Sequence, residues 1–314
     1  MSLTVVGSIA YDAVITPSGS RDRMLGGAAT HFALAASFFD EVRVIGPVGE
    51  DFDDASWEAL RTRGTITDDV ERIEGGKTFF WKGEYHTGLN TRDTHVTDLN
   101  VFEHFEPKLS PAAQQCDVLF LANIQPDLQR GVREQCSGAR FVAMDSMDLW
   151  INIARDGLVE TIKGVDCLIL NDEELELLTE APNFVSAARE ILNWGPTAPS
   201  SVIAKQGKYG AALFTKDGYF ALPAYPLEDV VDPTGAGDSF AGGFVGYVAA
   251  HPDHAVDHDL LVRAMVYGTA LASFNVEAFG TERVLDLQPD EISARVGELQ
   301  RMTTFEHQPI ALRA

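Results

Sequence analysis

Val230-Val231-Asp232-Pro233-Thr234-Gly235-Ala236-Gly237-Asp238-Ser239-Phe240 places a carboxylate directly after three residues with almost no side chain. The apolar stretch 239–250 that follows has helix length, so Asp238 marks the point where a glycine turn becomes a helix. Gly235, Ala236 and Gly237 carry nothing larger than a methyl, and an anion can approach their N–H groups, which the helix start aims outward. This arrangement binds phosphate. A carboxylate repels bound phosphate and is not needed to hold it. Its presence makes sense if an alcohol attacks phosphorus there, because one group must receive the alcohol proton while the helix end stabilises charge on the phosphoryl oxygens. Asp238 is therefore the candidate general base, and the 235–237 turn the candidate anion hole, of a phosphoryl transfer to a hydroxyl. For a lone Gly-x-Gly-Asp the alternative is an Asp that merely caps a helix.

Upstream of this stretch, β-branched or aliphatic runs at 42–45, 118–121, 141–144, 167–170 and 202–204 alternate with helix-length patterns at 28–39, 55–63, 158–163 and 185–193. Such alternation predicts an α/β fold with a mostly parallel central sheet and helices on both faces, whose sites open at the carboxyl ends of the strands. Residues 75–106 break the rhythm. Thr78-Phe79-Phe80-Trp81-Lys82-Gly83-Glu84-Tyr85 and Thr94-His95-Val96-Thr97 read as strands outside the main sheet. With 12–27 they are expected to form a small β lid on one domain spanning 1–314, the alternative being an ordinary edge hairpin.

Length and composition bound the rest. A chain of 314 residues with 45% hydrophobic content can bury a large core. Lysine and arginine number 24 against 47 acidic residues, a formal charge of −23, which disfavours a nucleic-acid partner. That charge also repels ATP at long range, so a kinase of this composition needs local positive potential from loop amides, a metal ion and a few basic residues. A high-salt cytoplasm is one origin of such a surface, and composition does not decide for it. Cys116, Cys136 and Cys167 form an odd set without metal-site spacing and read as reduced thiols. No apolar run reaches the ~18 residues of a membrane span and no leader pattern precedes the first strand, so a cytoplasmic protein with no membrane partner is expected. Gly75-Gly76-Lys77-Thr78 lacks the first glycine of a P-loop, since Glu71 stands there. His251, His254 and His258 follow a helix end beside Pro252 and read as a solvated connection rather than a metal site.

Asp232-Pro233-Thr234-Gly235-Ala236-Gly237-Asp238 resembles the second signature of the ribokinase-like (PfkB) carbohydrate kinase family. An opening strand ending near Asp12, the pair Gly26-Gly27 before a helix, Asn171-x-x-Glu174 after a central strand, and Lys205-Gln206-Gly207-Lys208-Tyr209-Gly210 before a hairpin follow in the family's order. The resemblance implies a ribokinase-like fold and ATP-dependent phosphorylation of a small sugar-like alcohol. It implies that Asp12 accepts substrate hydroxyls, that Gly26 and Gly27 approach the substrate, and that Asn171 and Glu174 serve the triphosphate, Glu174 reaching Mg²⁺ through water. Lys205, Gly207 and Gly210 would then meet the phosphates, Asn275 and Gly280 would border the adenine, and Asp232 would help hold a monovalent cation, K⁺ in some relatives. Two departures stand out. His31 occupies a place where the pattern often has Asn, and it is assigned to the substrate. Pro233 interrupts the cation motif. A nucleoside or cyclitol (inositol-type) kinase of the same family is the alternative, the aromatic lid segment being able to stack on a base; a catalytically silent nucleotide-binding regulator is the alternative of another class. Lid strands in this family can pair between subunits, which leaves a homodimer open.

Overall fold

The computed structural model describes residues 2–89, 91–307 and 310. Nine strands form the main sheet in the order β13 (Tyr219–Leu222), β12 (Ala211–Thr215), β11 (Ser201–Lys205), β10 (Cys167–Asn171), β9 (Phe141–Asp145), β8 (Val118–Leu121), β1 (Leu3–Val6), β4 (Val42–Gly49) and β5 (Ile66–Ile73). All pairings from β5 to β11 are parallel, and β12 and β13 extend the sheet antiparallel. Central strands such as Val-Leu-Phe-Leu of β8 are apolar at every position because both faces are covered. Alternate residues take alternate faces. Val118 and Phe120 pack under the helices Ala28–Ala36, Ala236–Ala249 and His258–Asn275, while Leu119 and Leu121 pack under Pro126–Gln135, Arg155–Ile162, Asp172–Thr179 and Phe184–Ile191.

A second sheet of four strands has the order β3 (Gly19–Gly26), β2 (Ala10–Thr16), β6 (Phe79–Tyr85) and β7 (Arg92–Asp98). This is the lid that the aromatic and Thr-rich segments predict, and the main-sheet runs fall where their periodicity places them. One expectation is corrected here. The sequence places the end of the opening strand near Asp12, but β1 stops at Val6 and a new strand, β2, starts at Ala10, so Asp12 lies inside the lid. Hydrophobicity alone does not show the break at 7–9, because Ile9 remains a core residue on the way across. Neighbours of β1 connect in opposite directions, to β4 on one side and β8 on the other, which makes its carboxyl end the switch point where α/β sheets hold ligands. The chain leaves that point directly into the lid.

Among the described residues no helix is long and apolar enough to cross a membrane, and no group of three or more His, Cys, Asp or Glu side chains is placed to hold a metal ion. In the histidine-rich connection, His251 Nδ1 bonds the Tyr247 carbonyl at 2.7 Å.

Candidate active site

Gly235 enters the helix Ala236–Ala249 in the left-handed region, with φ 74° and ψ 2°. Asp238 stands in the first turn of that helix, half-buried, with no hydrogen-bond or ion-pair partner among the described residues. The Ala236 amide is not part of the anion hole as expected. It donates to the Pro233 carbonyl at 3.2 Å, which closes the turn, whereas the amides of Gly235, Gly237 and Asp238 have no backbone acceptor among the described residues. Three free N–H groups, a helix N-terminus and an unpaired carboxylate therefore share one spot.

Asp12 meets this spot from the lid. Its carboxylate is buried, 5% exposed, and is pushed up to about 7 by burial first and by the Asp232 and Asp238 charges, against the Gly27 N–H. Gly26 is glycine because a Cβ there would lie 2.0 Å from Asp12 Oδ2, and Gly27, at φ 95°, because a Cβ would meet the Ser8 carbonyl oxygen at 2.5 Å. The glycine pair thus seats Asp12 and the start of the helix Ala28–Ala36; these contacts within the chain account for both residues. Trp81 pairs with Asp12 across β2 and β6 and lies over Gly83, with the Arg92 guanidinium 5.8 Å from its ring centroid. Tyr85, from the same strand, has its hydroxyl 3.4 Å from the Thr234 Oγ1 donor, so the lid touches the turn that precedes Asp238. Phe79 instead stacks on Phe102 at 5.6 Å and belongs to the packing beneath the lid.

The opposite side of the site is built by strand ends. Lys205 closes β11 beside Asn171, which closes β10, and a Cβ on Gly237 would lie 2.9 Å from Lys205 Nζ. The ammonium therefore lies beside the 235–237 turn. Asn171 and Glu174 form a reciprocal capping box: Asn171 Oδ1 accepts the Glu174 N–H at 2.7 Å and Glu174 Oε2 accepts the Asn171 N–H at 2.8 Å. The capping box leaves Asn171 Nδ2 and Glu174 Oε1 without a partner among the described residues. Burial raises the Glu174 carboxyl, and the Lys205 and Arg92 charges oppose that rise. Asp145, at the carboxyl end of β9, was not singled out in the sequence. It is 5% exposed, its Oδ1 has no partner, and burial followed by the Asp238 charge holds its carboxyl well above the usual range, opposed by Lys205. The signal was available, since an Asp ending a central strand is placed like any other ligand residue of such a sheet. Arg92 was also missed, and its charge acts on both Tyr85 and Glu174.

Four further expectations change. A Cβ on Gly210 would lie 2.0 Å from the Leu222 carbonyl oxygen, and Gln206 N–H bonds Gly210 O at 2.7 Å, so Gly207 and Gly210 shape a hairpin turn and the latter faces β13. Asn275, expected beside the adenine, is wholly enclosed and bonds His31, Ser239 and the Thr234 carbonyl. Gly280 N–H donates to Asp232 Oδ2 at 2.9 Å and Thr234 N–H to Asp232 Oδ1 at 2.9 Å, so Gly280 buttresses the turn and Asp232, 0% exposed, anchors it. His31, assigned to the substrate, is buried against Gly235 with Nδ1 on Asn275.

Free turn amides at a helix N-terminus, an unpaired carboxylate beside them and a buried lid carboxylate stand together on a ribokinase-like fold. Residues 2–287 match the pfkB family of carbohydrate kinases. The chain belongs to that family, whose members transfer phosphoryl from ATP to a hydroxyl. It is 30% identical over 261 residues to a cytidine kinase of Thermococcus kodakarensis, covering 80% of this chain and 90% of the relative. A nucleoside kinase of Methanocaldococcus jannaschii is 27% identical over 181 residues, 57% of this chain and 55% of the relative. Among solved structures, the nucleoside kinase of Burkholderia thailandensis in complex with inosine superposes with a TM-score of 0.78 at 20% identity, over 94% of this chain and 97% of that one.

Proposed function

We propose that the protein phosphorylates a hydroxyl of a nucleoside, with Asp238 as general base. The observation that carries the reading is Asp238 itself: an unpaired carboxylate among free turn amides, opposite the buried Asp12 of the lid. Its relationship to a cytidine kinase favours a nucleoside over a simple sugar. So does the lid, where Trp81 lies on the face that carries Asp12 and offers an aromatic plane to a base.

In this mechanism the nucleoside hydroxyls donate to Asp12, and the hydroxyl to be phosphorylated faces Asp238. The triphosphate of ATP lies along the amides of Gly235, Gly237 and Asp238, with Lys205 beside it. Asp238 takes the proton as the γ-phosphoryl passes in line, and the amides and helix N-terminus hold the charge of the equatorial oxygens. The donor set fits Mg²⁺, which takes oxygen ligands and keeps several waters: among the described residues Glu174 Oε1 and Asp145 Oδ1 have no partner. When bound it would neutralise phosphoryl charge. A monovalent cation at Asp232 belongs to the same proposal, since that carboxylate is buried with two amide donors and no cationic partner among the described residues. A homodimer through the exposed lid-edge strands β3 and β7 belongs to it as well.

ADP release with ATP and Mg²⁺ across a panel of nucleosides, sugars and inositols, each with and without KCl, tests the substrate class. Stimulation by nucleosides above all others is expected. Stimulation by sugars or inositols alone contradicts the nucleoside assignment, and ATP binding without stimulation by any alcohol indicates a regulator.

The Asp12 carboxyl adds a pH signature. Substrate hydroxyls donate to the ionised form, and protonation removes that acceptor, so KM for the alcohol is expected to climb about tenfold per pH unit below about 7. Asp12→Asn should raise KM at all pH values and flatten this limb. A wild-type KM that stays level from pH 8 to 5.5 contradicts the placement.

A further inference from the structure

We propose that His31 is a positioning residue for phosphoryl transfer: acting through Asn275, its imidazole holds the Thr234–Gly235 turn and the following helix start in the geometry that presents the free amides and Asp238. The inference rests on the reading of Asp238 as base.

The imidazole face lies against Gly235. A Cβ on that glycine would be 2.3 Å from His31 Nδ1 and 2.4 Å from Cε1 and Cγ, so the turn is moulded on the ring. Nδ1 is 3.1 Å from Asn275 Oδ1. The orientation of this amide is fixed by its other end, because Nδ2 donates to the Thr234 carbonyl at 2.7 Å and a carbonyl only accepts. Asn275 Oδ1 is then an acceptor, and His31 Nδ1 carries the proton. The same Oδ1 accepts the Ser239 hydroxyl at 2.9 Å, and the Ser239 N–H bonds the Gly235 carbonyl at 2.8 Å. One buried amide thus ties the carbonyl before the turn to the helix after it, and His31 supplies the donor that completes its acceptor.

The tautomer has a second consequence. With the proton on Nδ1, Nε2 is a bare acceptor, and it is buried without a partner among the described residues. Burial lowers the basicity of the ring although the Asp238 and Asp232 charges oppose this, so the imidazole is held neutral. An asparagine at position 31, where the family pattern often has one, would set its amide nitrogen at the position of Nδ1. The departure therefore preserves the donor atom.

Kinetics with ATP, Mg²⁺ and the nucleoside that turns over fastest in the panel test the role. His31→Phe keeps an aromatic ring over Gly235 but has no donor, and is expected to lower kcat about 10- to 10²-fold, the scale of a misplaced catalytic group, with little change in nucleoside KM. His31→Asn should keep most of kcat, and His31→Phe combined with Asn275→Ala should be no worse than the poorer single variant. ¹⁵N NMR of the wild-type imidazole, which needs no variant to fold, should show the neutral Nδ1–H tautomer. A raised KM at unchanged kcat, equal losses in the Asn and Phe variants, additive losses in the double variant, or an Nε2–H ring would each overturn the proposal. Failure of the base assignment is distinguishable, since it appears as turnover retained in Asp238→Asn.

Discussion

Asp238→Asn is expected to lower kcat by about 10²- to 10⁴-fold, the loss that follows removal of a general base. The fold should survive, because Asp238 has no hydrogen bond or ion pair to lose among the described residues and is half-exposed to the site. ATP should bind at least as tightly as to the wild type, since the substitution removes a negative charge beside the phosphates. Loss of that charge also relieves Asp12, whose carboxyl it helps to raise, so the acid limb of nucleoside KM should move to lower pH. Rate, affinity and pH limb are three separate readouts of one substitution. Turnover within a few-fold of wild type, with ATP affinity intact, removes Asp238 from the proton transfer.

Gly235→Ala is the second large expected effect, through geometry rather than charge. The residue has φ 74°, where a side chain costs about 1–2 kcal/mol. The new methyl would also overlap the His31 ring at 2.3–2.4 Å, and neither the ring nor the turn can retreat while Asn275 bonds both. The turn must open, carrying the Gly235 and Gly237 amides and Asp238 away from the phosphoryl position. We expect urea denaturation to show a loss of about 1–3 kcal/mol, the scale of backbone strain at such a site, and kcat to fall by about 10²-fold or more. An unchanged denaturation midpoint with full turnover would mean that the turn tolerates another conformation and that its shape does not govern the rate.

The main sheet was legible because its strands are short apolar runs between helix-period segments, and β8, β9, β10 and β11 lie where those runs place them. Edge strand β5 was not read: Ile-Thr-Asp-Asp-Val-Glu-Arg-Ile is half polar, as an outer strand can be. The change of sheet at 7–9 was equally silent, since it depends on which strands flank β1 and not on local pattern. In the site, Asp238, Gly235, Gly237, Asp12 and Lys205, singled out in the sequence by residue type and turn context, are brought together by the structure. Ala236 was misread because the turn takes its amide internally. Asn275 and His31 were misread for a different reason. Their partners lie 36 or more residues away along the chain, and a buried polar side chain bonded to distant residues looks, in sequence, like one awaiting a ligand. Arg92 gains meaning only once the lid sets it beside Glu174, whereas Asp145 could be singled out as an Asp that ends a central strand.

The most direct test is a crystal structure of Asp238→Asn with a non-hydrolysable ATP analogue, Mg²⁺ and the preferred nucleoside. The account predicts the acceptor hydroxyl within about 2.6–3.2 Å of the residue 238 side chain, in line with the γ-phosphorus, and phosphoryl oxygens on the Gly235 and Gly237 amides. A hydroxyl directed at another base, or phosphates bound away from that turn, would contradict it.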